Sequence, residues 1–577
     1  MDLNKKYNLA VNYLRSNQIP EAEKIFLQIH RKKPKDLVSI ENLVKIYLNQ
    51  KDFDNALKFL LALFNLTGDI NAIQNLIILN FDLKRYVESE NFINVLLRRE
   101  PKNFIGLLYK AKILTSKEIF DQAAEIYEEN YLDFSQNKIY LQSYAFLLNR
   151  TGDYKKAIEI YTSSINLDPD DFMSYFNLGV CYGNLSEYED AEKAYKKAIN
   201  LNKTFELGYI NLSAVYMRKL MHIEAKECIE ELFKINKNNY VGLHTMGLLL
   251  SMENKLLESV EYFKKALLHN PVYTKSHFQL GLVLLRLFRF DDFSEHYRWR
   301  TRDEDQINSC QIQVDDFDID QIDKTRKLII YHEQGLGDQL FYSRFIKHIP
   351  AKKIILVVHR KLKNFMKQEL KDVEITDLDD ERNFKLIDFQ KINLASTIRY
   401  ISKDKISKDL SEESLKFDSK KEKIHIGLSW KSKSNNYGDS KSFPLEKLLK
   451  KINRGNMQFI NLQYGDTKKE LEDIDKNYGI KVIIEKHKNI TDEISDLKDL
   501  ITQCDLVITC SNVTAHVAGF LRKQTFLLAP SKYGRLWFWD ADESGNSIWY
   551  PSVKIISNEN DDWNNVFEQL NNYLIKL

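Results

Sequence analysis

The first half of the chain repeats itself with a period of about 34 residues, a length typical of stacked helical units. The clearest copy starts at Phe172, and the pattern ends near residue 300. Its recurring positions hold small or bulky apolar residues, namely Tyr175, Leu178, Gly179, Tyr182, Ala191, Tyr195 and Ala198. A fixed period of this size predicts a row of supersecondary units rather than one globular core, and its abrupt end predicts a second architecture beyond it.

Each period divides into two stretches whose apolar residues have helical spacing. Gly179 and Ala191 lie where two helix backbones would approach closely, and tyrosines fill the space beside them. This arrangement resembles the tetratricopeptide repeat, and about nine copies are predicted, which make an α solenoid. They start at or near Leu3, Leu37, Ile70, Phe104, Lys138, Phe172, Glu206, Tyr240 and Thr274. The resemblance implies a concave face that holds a peptide or protein segment.

Charge and cysteine content limit the function. Lys and Arg number 84 and Asp and Glu 82, a net charge of +2, so no long-range attraction to nucleic acid or membranes is expected. No apolar signal region is present, and no apolar run is long enough to span a bilayer. The five cysteines lack metal-ligand spacing. We therefore expect a cytoplasmic protein without a transmembrane segment, a nucleic-acid partner, a disulfide framework or a metal site.

After residue 300 the pattern changes to short apolar runs that alternate with helical stretches. The runs lie at 327–331, 353–358, 373–375 and 386–387, and then at 424–429, 459–462, 482–484, 506–509 and 525–528. Such alternation predicts α/β architecture, with parallel sheets that carry helices on both faces. We predict the repeats over 1–300, a linker or cap over 301–324, and two doubly wound, Rossmann-like halves over 325–420 and 421–577.

The first candidate site is the loop after the run 327–331. Gly335 and Gly337 allow a tight turn and a close approach of the backbone to a ligand. Asp338 is expected near the start of the next helix, where a carboxylate could act as general base on an acceptor hydroxyl. The alternative is that Asp338 only caps this helix, and the local sequence slightly favours the cap.

The second candidate follows the run 424–429. Lys431 could pair with a phosphate there, and the hydroxyls of Ser429, Ser432 and Ser434 could donate hydrogen bonds to it. A solvated polar loop is the alternative, and it is the better interpretation when the loop is taken by itself.

The third candidate follows the run 506–509 and opens a helix. Ser511, Asn512 and Thr514 lie where free backbone N–H groups and the positive end of the helix dipole suit a diphosphate. Ser511 or Asn512 also meets the preference for an N-cap residue, which requires no ligand. His516 lies one turn into this helix, where a histidine is more often packed than catalytic.

The fourth candidate is aromatic and covers 533–539 and 549–551. These side chains could line a sugar or base pocket, or they could form a hydrophobic plug that ties the C-terminal helix to the rest. The two interpretations are equally supported. Because all four candidates lie on strand-to-helix loops, we expect them to face one cleft.

In the order of these motifs, the second half resembles the glycosyltransferase region of the heptosyltransferase-like superfamily, which has the GT-B fold. The matching stretches are Glu333–Asp338, Gly427–Trp430, Ser511–Gly519 and Trp549–Ser552. Nearly the whole chain resembles bacterial proteins in which tetratricopeptide repeats precede such a region, and Phe293–Arg300 is similar to their usual junction.

The resemblance implies transfer of a sugar from a nucleotide-diphosphate donor, without an essential metal or other cofactor. Asp338 matches the residue treated as the catalytic base, and Lys431 lies near the phosphate-binding lysine of the family. Many relatives carry Asp at the position of Ser511, where it helps hold the sugar, so serine there calls heptose specificity into question and leaves a diphosphate site intact. The predicted donor-binding set is Gly335, Gly337, Lys431, Ser511, Asn512, Thr514 and His516.

Some relatives with repeats are implicated in glycosylating flagellin or other proteins. We therefore predict a glycosyltransferase whose acceptor is a protein or peptide held by the repeats. Two alternatives stay open. The chain could be a non-catalytic repeat scaffold with a degenerate transferase region, or a transferase that acts on lipopolysaccharide core or another glycan.

Overall fold

The computed structural model of the chain describes residues 3–302, 314, 322–333, 335–381, 389–401, 403–411, 421–432, 441–529, 536–557 and 562–576. These residues divide into two compact units, Met1–Glu231 and Leu232–Leu577. The first unit is helical, whereas the second contains helices followed by two parallel sheets. No helix within the described ranges is both long and apolar enough to cross a membrane.

The helices of the first unit pack in consecutive pairs. The helices that open each pair are α1 (Leu3–Arg15), α3 (Leu37–Gln50), α5 (Ile70–Asp82), α7 (Phe104–Ser116), α10 (Lys138–Arg150), α12 (Phe172–Asn184) and α14 (Glu206–Arg218). The partners of the first six are α2 (Ile19–Lys32), α4 (Phe53–Thr67), α6 (Tyr86–Arg99), α8 (Phe120–Glu129), α11 (Tyr154–Leu167) and α13 (Tyr188–Leu201), and α9 (Tyr131–Phe134) is one extra turn. After α14 comes α15 (His222–Ile235), in which the boundary between the two units lies. Every opening helix begins at the residue where the repeat pattern predicts it.

Small residues let the two helices of a repeat approach closely. A Cβ atom at Gly179 would lie 2.8 Å from the ring of Tyr195, so a larger residue does not fit there. Ser89 stands where alanine is usual, and its buried hydroxyl donates a hydrogen bond of 2.9 Å to the carbonyl of Ile77 on the partner helix. Lys110, the other departure from the pattern, is exposed. Both departures are thus accommodated within regular helices.

The turn between the two helices of each repeat contains one residue with a left-handed backbone. These residues are Asn17, Lys51, Lys84, Glu118, Gly152, Ser186, Leu220, Asn254 and Phe288, with φ angles from 56° to 83°. Glycine adopts this conformation at the least cost, and a non-glycine residue pays about 1 kcal/mol for it. Since eight of the nine are not glycine, helix pairing rather than local turn preference maintains the geometry of these turns.

The second unit begins with the last repeats and continues into a four-stranded sheet. The helices are α16 (Tyr240–Met252), α17 (Leu256–His269), α18 (Thr274–Arg286) and α19 (Phe290–Tyr297), followed by a 3₁₀ helix, Arg298–Arg302. The strands are β1 (Lys327–Tyr331), β2 (Lys353–Val357), β3 (Glu374–Thr376) and β4 (Phe389–Asn393), all parallel, in the order β3-β2-β1-β4. The helices between and after them are α20 (Leu336–Ser343), α21 (Arg360–Glu369), α22 (Leu378–Glu381) and α23 (Lys403–Leu410), with 3₁₀ turns at Ile346–His348 and Leu394–Tyr400.

The second sheet has six parallel strands. They are β5 (Ile424–Ser429), β6 (Met457–Asn461), β7 (Val482–Ile483), β8 (Leu506–Thr509), β9 (Thr525–Leu528) and β10 (Val553–Ile556), in the order β10-β9-β8-β5-β6-β7. Its helices are α24 (Leu445–Ile452), α25 (Lys468–Tyr478), α26 (Ile494–Gln503), α27 (Val513–Phe520) and α28 (Trp563–Lys576), with a 3₁₀ turn at Trp537–Trp539. Counted from its first strand, this is the 3-2-1-4-5-6 order of doubly wound nucleotide-binding sheets.

Most strands lie where the sequence predicts them. The boundaries of β1, β5, β8 and β9 match the predicted runs, whereas the run 386–387 lies outside the described residues. The strands β4 and β10 are not predicted. The helix α20 begins at Leu336 and ends at Ser343, which places Asp338 inside its first turn.

One hydrophobic core joins the last repeats to both sheets. Its buried members include Val260, Phe263 and Leu284 from α17 and α18, Leu328 and Leu356 from the first sheet, and Val507 and Ile555 from the second. Arg286 of α18 also donates two hydrogen bonds, of 2.6 and 3.0 Å, to the carboxylate of Asp540. The helices α16 to α19 therefore belong to the same compact unit as the sheets.

Of the stretch predicted as a linker or cap, 301–324, the structure describes only its ends and Val314. Val314 packs on Ile329 and Tyr331, which point to one face of the first sheet, and its carbonyl accepts a hydrogen bond of 2.8 Å from Asn393. Ile322 belongs to the core on the other side of this sheet. The described residues of this stretch thus cover the first sheet.

Candidate functional site

Both sheets reverse their strand order beside their first strand. The reversal lies between β1 and β4 in the first sheet and between β5 and β8 in the second. In open parallel sheets, a crevice forms at such a point beyond the carboxyl ends of the strands. The loops that follow β1, β5 and β8 are therefore the natural place for a ligand, and they contain three of the four predicted motifs.

Asp338 lies in the first turn of α20, which has Gly335 as its N-cap. Its carboxylate accepts backbone hydrogen bonds from Gly335 and from its own N–H, and the bond to Gly335 is the acidic half of a capping box. These bonds lower its pKa, but desolvation outweighs them, and with the nearby charge of Glu333 it raises the pKa to about 7. The residue as a whole is only partly buried. Asp338 is thus a helix cap and also a carboxylate that can exchange a proton near neutral pH.

The start of α20 packs directly on α27. A Cβ atom at Gly337 would lie 2.7 Å from Cδ2 and Nε2 of His516, so the contact requires glycine. His516 is buried, its Nδ1 lies 3.1 Å from the hydroxyl of Tyr550, and burial lowers its pKa to about 3. This ring is therefore neutral and packed, and it brings the first and third candidate motifs into contact.

Asn512 is the N-cap of α27. Its Oδ1 accepts hydrogen bonds from the backbone N–H groups of Thr514 (3.0 Å) and Ala515 (3.4 Å). Its Nδ2 donates to the hydroxyl of Ser429 at 2.8 Å, and the hydroxyl of Thr514 lies 3.3 Å from the same oxygen. Asn512 rather than Ser511 thus caps the helix, and it joins the loops after β5 and β8.

The described part of the aromatic segment is packed rather than open. Trp539, Trp549 and Tyr550 are fully buried. The Nε1 of Trp539 donates to the buried hydroxyl of Ser511 at 2.9 Å, and the ring of Trp549 lies 4.9 Å from that of Phe288 in the last repeat. The segment 533–535 lies outside the described residues. These contacts are those of a hydrophobic plug. The plug joins the start of α27 to the last repeat, whereas the sequence predicts that it would join the C-terminal helix to the rest of the domain.

Two lysines that follow β5 differ sharply in their surroundings. Lys431 is exposed, and its Nζ donates to the carboxylate of Glu470 at 2.6 Å. Lys441 is 4% exposed, and burial lowers its pKa. Among the described residues, no carboxylate lies within ion-pair distance of Lys441, and the buried thiol of Cys510, in the loop after β8, is the titratable group that interacts with it. A buried cation without an anionic partner is an anion-binding candidate.

Lys441 is not predicted as a site residue from the sequence. It lies three residues before Pro444, at the end of a polar, lysine-rich loop, and nothing in that pattern separates a buried lysine from a solvated one. The position of Lys441 is set by the backbone, because the N–H of Phe443 donates to the carbonyl of Trp430 at 3.0 Å. This bond places the segment beside the loop that follows β5.

A buried ion pair at the first sheet was also not predicted. The guanidinium of Arg300 donates to both carboxylate oxygens of Glu333, each at 2.8 Å, and both side chains are buried. The N–H of Ala395, in the turn after β4, donates to Glu333 at 2.9 Å. The pair therefore ties the end of the repeats to the point where the strand order reverses.

Acid should destabilise the second unit. Burial lowers the pKa of His244 and His332 to about 4 and that of His516 to about 3, below the ordinary value of 6.5. As the pH falls below 6.5, the unfolded chain binds protons that the folded unit excludes, so stability is complete above pH 6.5 and is lost towards pH 4. We expect a loss of about 2 kcal/mol per buried histidine at pH 4.5, measured by thermal unfolding followed by circular dichroism.

His332→Gln should reduce this pH dependence, and His269→Gln, at an exposed position, should leave it unchanged. A melting temperature that stays constant from pH 7 to pH 4.5 would contradict the interpretation of these rings as neutral, buried groups.

Comparison with known proteins concerns the helical region. A family model described as tetratricopeptide repeat matches residues 173–205, and one described as YpiA-like, C-terminal tetratricopeptide repeats matches residues 109–171. The chain contains tetratricopeptide repeats. Both matches lie before residue 232, where the second unit begins, so they do not extend to the two sheets.

Individual relatives add little beyond this. Protein FlbA of Caulobacter vibrioides is 27% identical over 135 residues, which are 23% of this chain and 22% of that protein. The chain thus aligns with about a fifth of the length of this curated relative. A tetratricopeptide repeat protein from Parabacteroides merdae is 15% identical, covers 43% of this chain and 98% of its own, and has a TM-score of 0.36. MamA is 25% identical, covers 29% and 90%, and has a TM-score of 0.27.

Proposed function

We propose that the chain is a glycosyltransferase that moves a sugar from a nucleotide-diphosphate donor to a protein acceptor held by the repeats. Two doubly wound parallel sheets within one compact unit suit a GT-B arrangement, in which donor and acceptor meet between the sheets. The observation that carries the proposal is Asp338. It is a carboxylate with a pKa of about 7, and it lies where a loop of the first sheet packs on a helix of the second.

In the proposed reaction, the oxygen of an acceptor hydroxyl attacks the anomeric carbon of the donor sugar, and Asp338 takes the proton of that hydroxyl. The bond from that carbon to the diphosphate oxygen breaks, and the nucleoside diphosphate leaves with the bonding electrons. A base with a pKa near the working pH is suited to this proton transfer. The negative charge on the leaving group requires a positive partner.

Lys441 is the residue we assign to that partner role. It is buried and lies beside Cys510, close to the start of α27, where the helix dipole also favours negative charge. A lysine and a helix dipole can stabilise a diphosphate without a metal ion, so the proposal includes no cofactor. No cluster of three or more metal-ligating side chains occurs in the part of the chain that the structure describes.

Lys441→Met should weaken donor binding about 10- to 100-fold, because a charge-assisted hydrogen bond to phosphate contributes about 1.5–3 kcal/mol. The measurement is a thermal-shift screen of nucleoside-diphosphate sugars, followed by calorimetric titration of the best donor. Lys450→Met, which removes an exposed lysine paired with Glu446, is the matched control and should bind as the wild type does. Lys431→Met tests the alternative, predicted from the sequence, that Lys431 binds the phosphate. If that alternative holds, Lys431→Met rather than Lys441→Met should weaken donor binding.

The non-catalytic scaffold is the second candidate function, and one observation favours it. The side chains of Ser511, Asn512 and Thr514, which are predicted to bind the donor, already have hydrogen-bond partners within the protein. Asn512 in particular caps the helix start that a diphosphate would occupy. If no nucleoside-diphosphate sugar raises the melting temperature of the wild-type protein, this candidate replaces the transferase.

A further inference from the structure

Two residues at the end of the repeats, Tyr297 and Arg300, form what we call the closing segment. They contact the helix that carries Asp338, or the loop before it, at two points. Before α20, Glu333 is held by the two hydrogen bonds from Arg300. Within α20, the hydroxyl of Tyr342 donates to the hydroxyl of Tyr297 at 3.3 Å. Arg300 and Tyr297 are themselves joined, since Arg300 lies 4.5 Å above the ring of Tyr297 and donates to its carbonyl at 3.0 Å.

Asp338 lies between these two points in the chain. Glu333 precedes it by five residues and Tyr342 follows it by one helical turn. All four residues of the clamp (Tyr297, Arg300, Glu333 and Tyr342) are buried, so their bonds are shielded from water and fix the geometry strongly. Movement of the closing segment would therefore move the start of α20.

We propose that Arg300 is a positioning residue for the sugar transfer. It holds the start of α20, and with it Asp338, in a place set by the closing segment of the repeats. This inference rests on the proposed function and extends it, because it makes the catalytic base depend on a residue of the repeat region. Arg300 acts through Glu333 and Tyr342 and does not itself touch the substrate.

The groups that face Asp338 come from several elements. Glu333 lies in the preceding loop, Tyr342 lies in α20, Tyr550 lies before β10, and the neutral ring of His516 lies on α27 behind Gly337. Arg300 interacts with Tyr342, and Arg344 lies 4.8 Å above the ring of Tyr550. Among these groups, Arg300 and Glu333 form an ion pair, so a single substitution of either residue leaves the charge of the other unpaired.

Arg300→Met in the full chain should lower kcat at least tenfold and leave the KM for the donor within threefold, because the donor site lies on the second sheet. Arg300→Lys should restore part of kcat. Arg302→Met, at an exposed arginine of the same 3₁₀ helix, should behave as the wild type does. Unchanged kcat in Arg300→Met would overturn the proposal.

Glu333→Gln is the test if Arg300→Met does not fold. The amide keeps the shape of the side chain but removes a negative charge near Asp338 and leaves the cation of Arg300 in place. The pH at which kcat is half-maximal should fall, because a negative charge that raises the pKa of Asp338 is removed. A purely structural role of the pair would leave this midpoint unchanged, and an unchanged midpoint would overturn the proposal.

A second readout needs no transferase activity. Asp338→Asn should raise the melting temperature at pH 8 less in the Glu333→Gln background than in the wild type. In that background the charge of Glu333 no longer opposes the ionisation of Asp338. If the wild type transfers no sugar, the proposed function fails while this comparison still decides whether the pair sets the surroundings of Asp338. Equal gains in the two backgrounds would count against the positioning role.

Discussion

Asp338→Asn should reduce sugar transfer about 10²- to 10⁴-fold, the usual contribution of a general base. The amide cannot accept the proton of the acceptor hydroxyl, whereas it can still accept the backbone hydrogen bond that caps α20. Donor binding should therefore stay within a few-fold of the wild-type value. In the wild type, kcat should rise with pH and reach half its maximum near pH 7, since the reactive form of Asp338 is ionised and its pKa is about 7.

The same substitution should stabilise the protein at high pH. The pKa of Asp338 rises from an ordinary 3.8 to about 7 in the folded chain, so the unfolded state ionises first as the pH increases. The loss of folding stability caused by ionising Asp338 is absent below pH 3.8, grows between pH 3.8 and 7, and is complete above pH 7. Asparagine removes it, which should add about 2–4 kcal/mol at pH 8 and almost nothing at pH 4.

Asp542→Asn is a suitable control, because Asp542 is exposed and a hydrogen bond from Ser544 lowers its pKa. It should give no stabilisation at pH 8 and no loss of kcat. If Asp338→Asn transfers sugar at the wild-type rate, Asp338 has no part in the chemistry. If it also fails to raise the melting temperature at pH 8, its carboxylate is not desolvated in the way described above.

Removing the first unit should leave a folded protein that binds the donor, whereas a cut at the end of the repeats should not. A fragment of residues 222–577 keeps α15 whole and retains α16 to α19, which share the core of the sheets. A fragment of residues 301–577 loses six fully buried core residues of α17 and α18: Val260, Phe263, Leu280, Val283, Leu284 and Leu285. At about 1.5–3 kcal/mol each, their loss is on the order of 10 kcal/mol, comparable to the whole stability of a domain.

Thermal unfolding and donor titration of the two fragments provide the measurement. We expect a cooperative transition and wild-type donor affinity for 222–577, and aggregation or no transition for 301–577. A stable, donor-binding 301–577 fragment would contradict the shared core. The longer fragment also separates the acceptors, because a protein acceptor held by the first unit should no longer be modified, whereas a glycan acceptor should still react.

The repeats are the part of the fold that the sequence predicts best. Each copy pairs small residues such as Gly179 with bulky ones such as Tyr195, and this local pattern also sets the helix starts. The strands β4 and β10 escape prediction because their burial depends on neighbours far away in the chain. The sequence also cannot show that α16 to α19 share a core with the sheets, since the repeat pattern of their helices resembles that of the first unit.

The candidate site is predictable to the level of its loops. Asp338, Asn512 and their neighbours follow strands, so their presence at the carboxyl edge follows from topology alone. Topology does not show which of these polar groups already have hydrogen-bond partners within the protein. Ser511, for example, is bonded to Trp539, which lies far away in the sequence. Lys441 and the Arg300–Glu333 pair are missed for the same reason, as burial and pairing across many residues leave no local pattern.

The hydrogen bonds between Arg286 and Asp540 join residues that are 254 positions apart in the chain. On a ribosome that adds about 5–20 residues per second, roughly 10–50 s pass between the synthesis of these two partners. Until then α17 and α18 pack on each other and on neighbouring helices, but the core that they share with the sheets still lacks Trp549 and Ile555. We therefore expect the last repeats to keep part of their apolar surface uncovered until late in synthesis, because the core of the second unit closes only after the residues that follow Asp540 have been added.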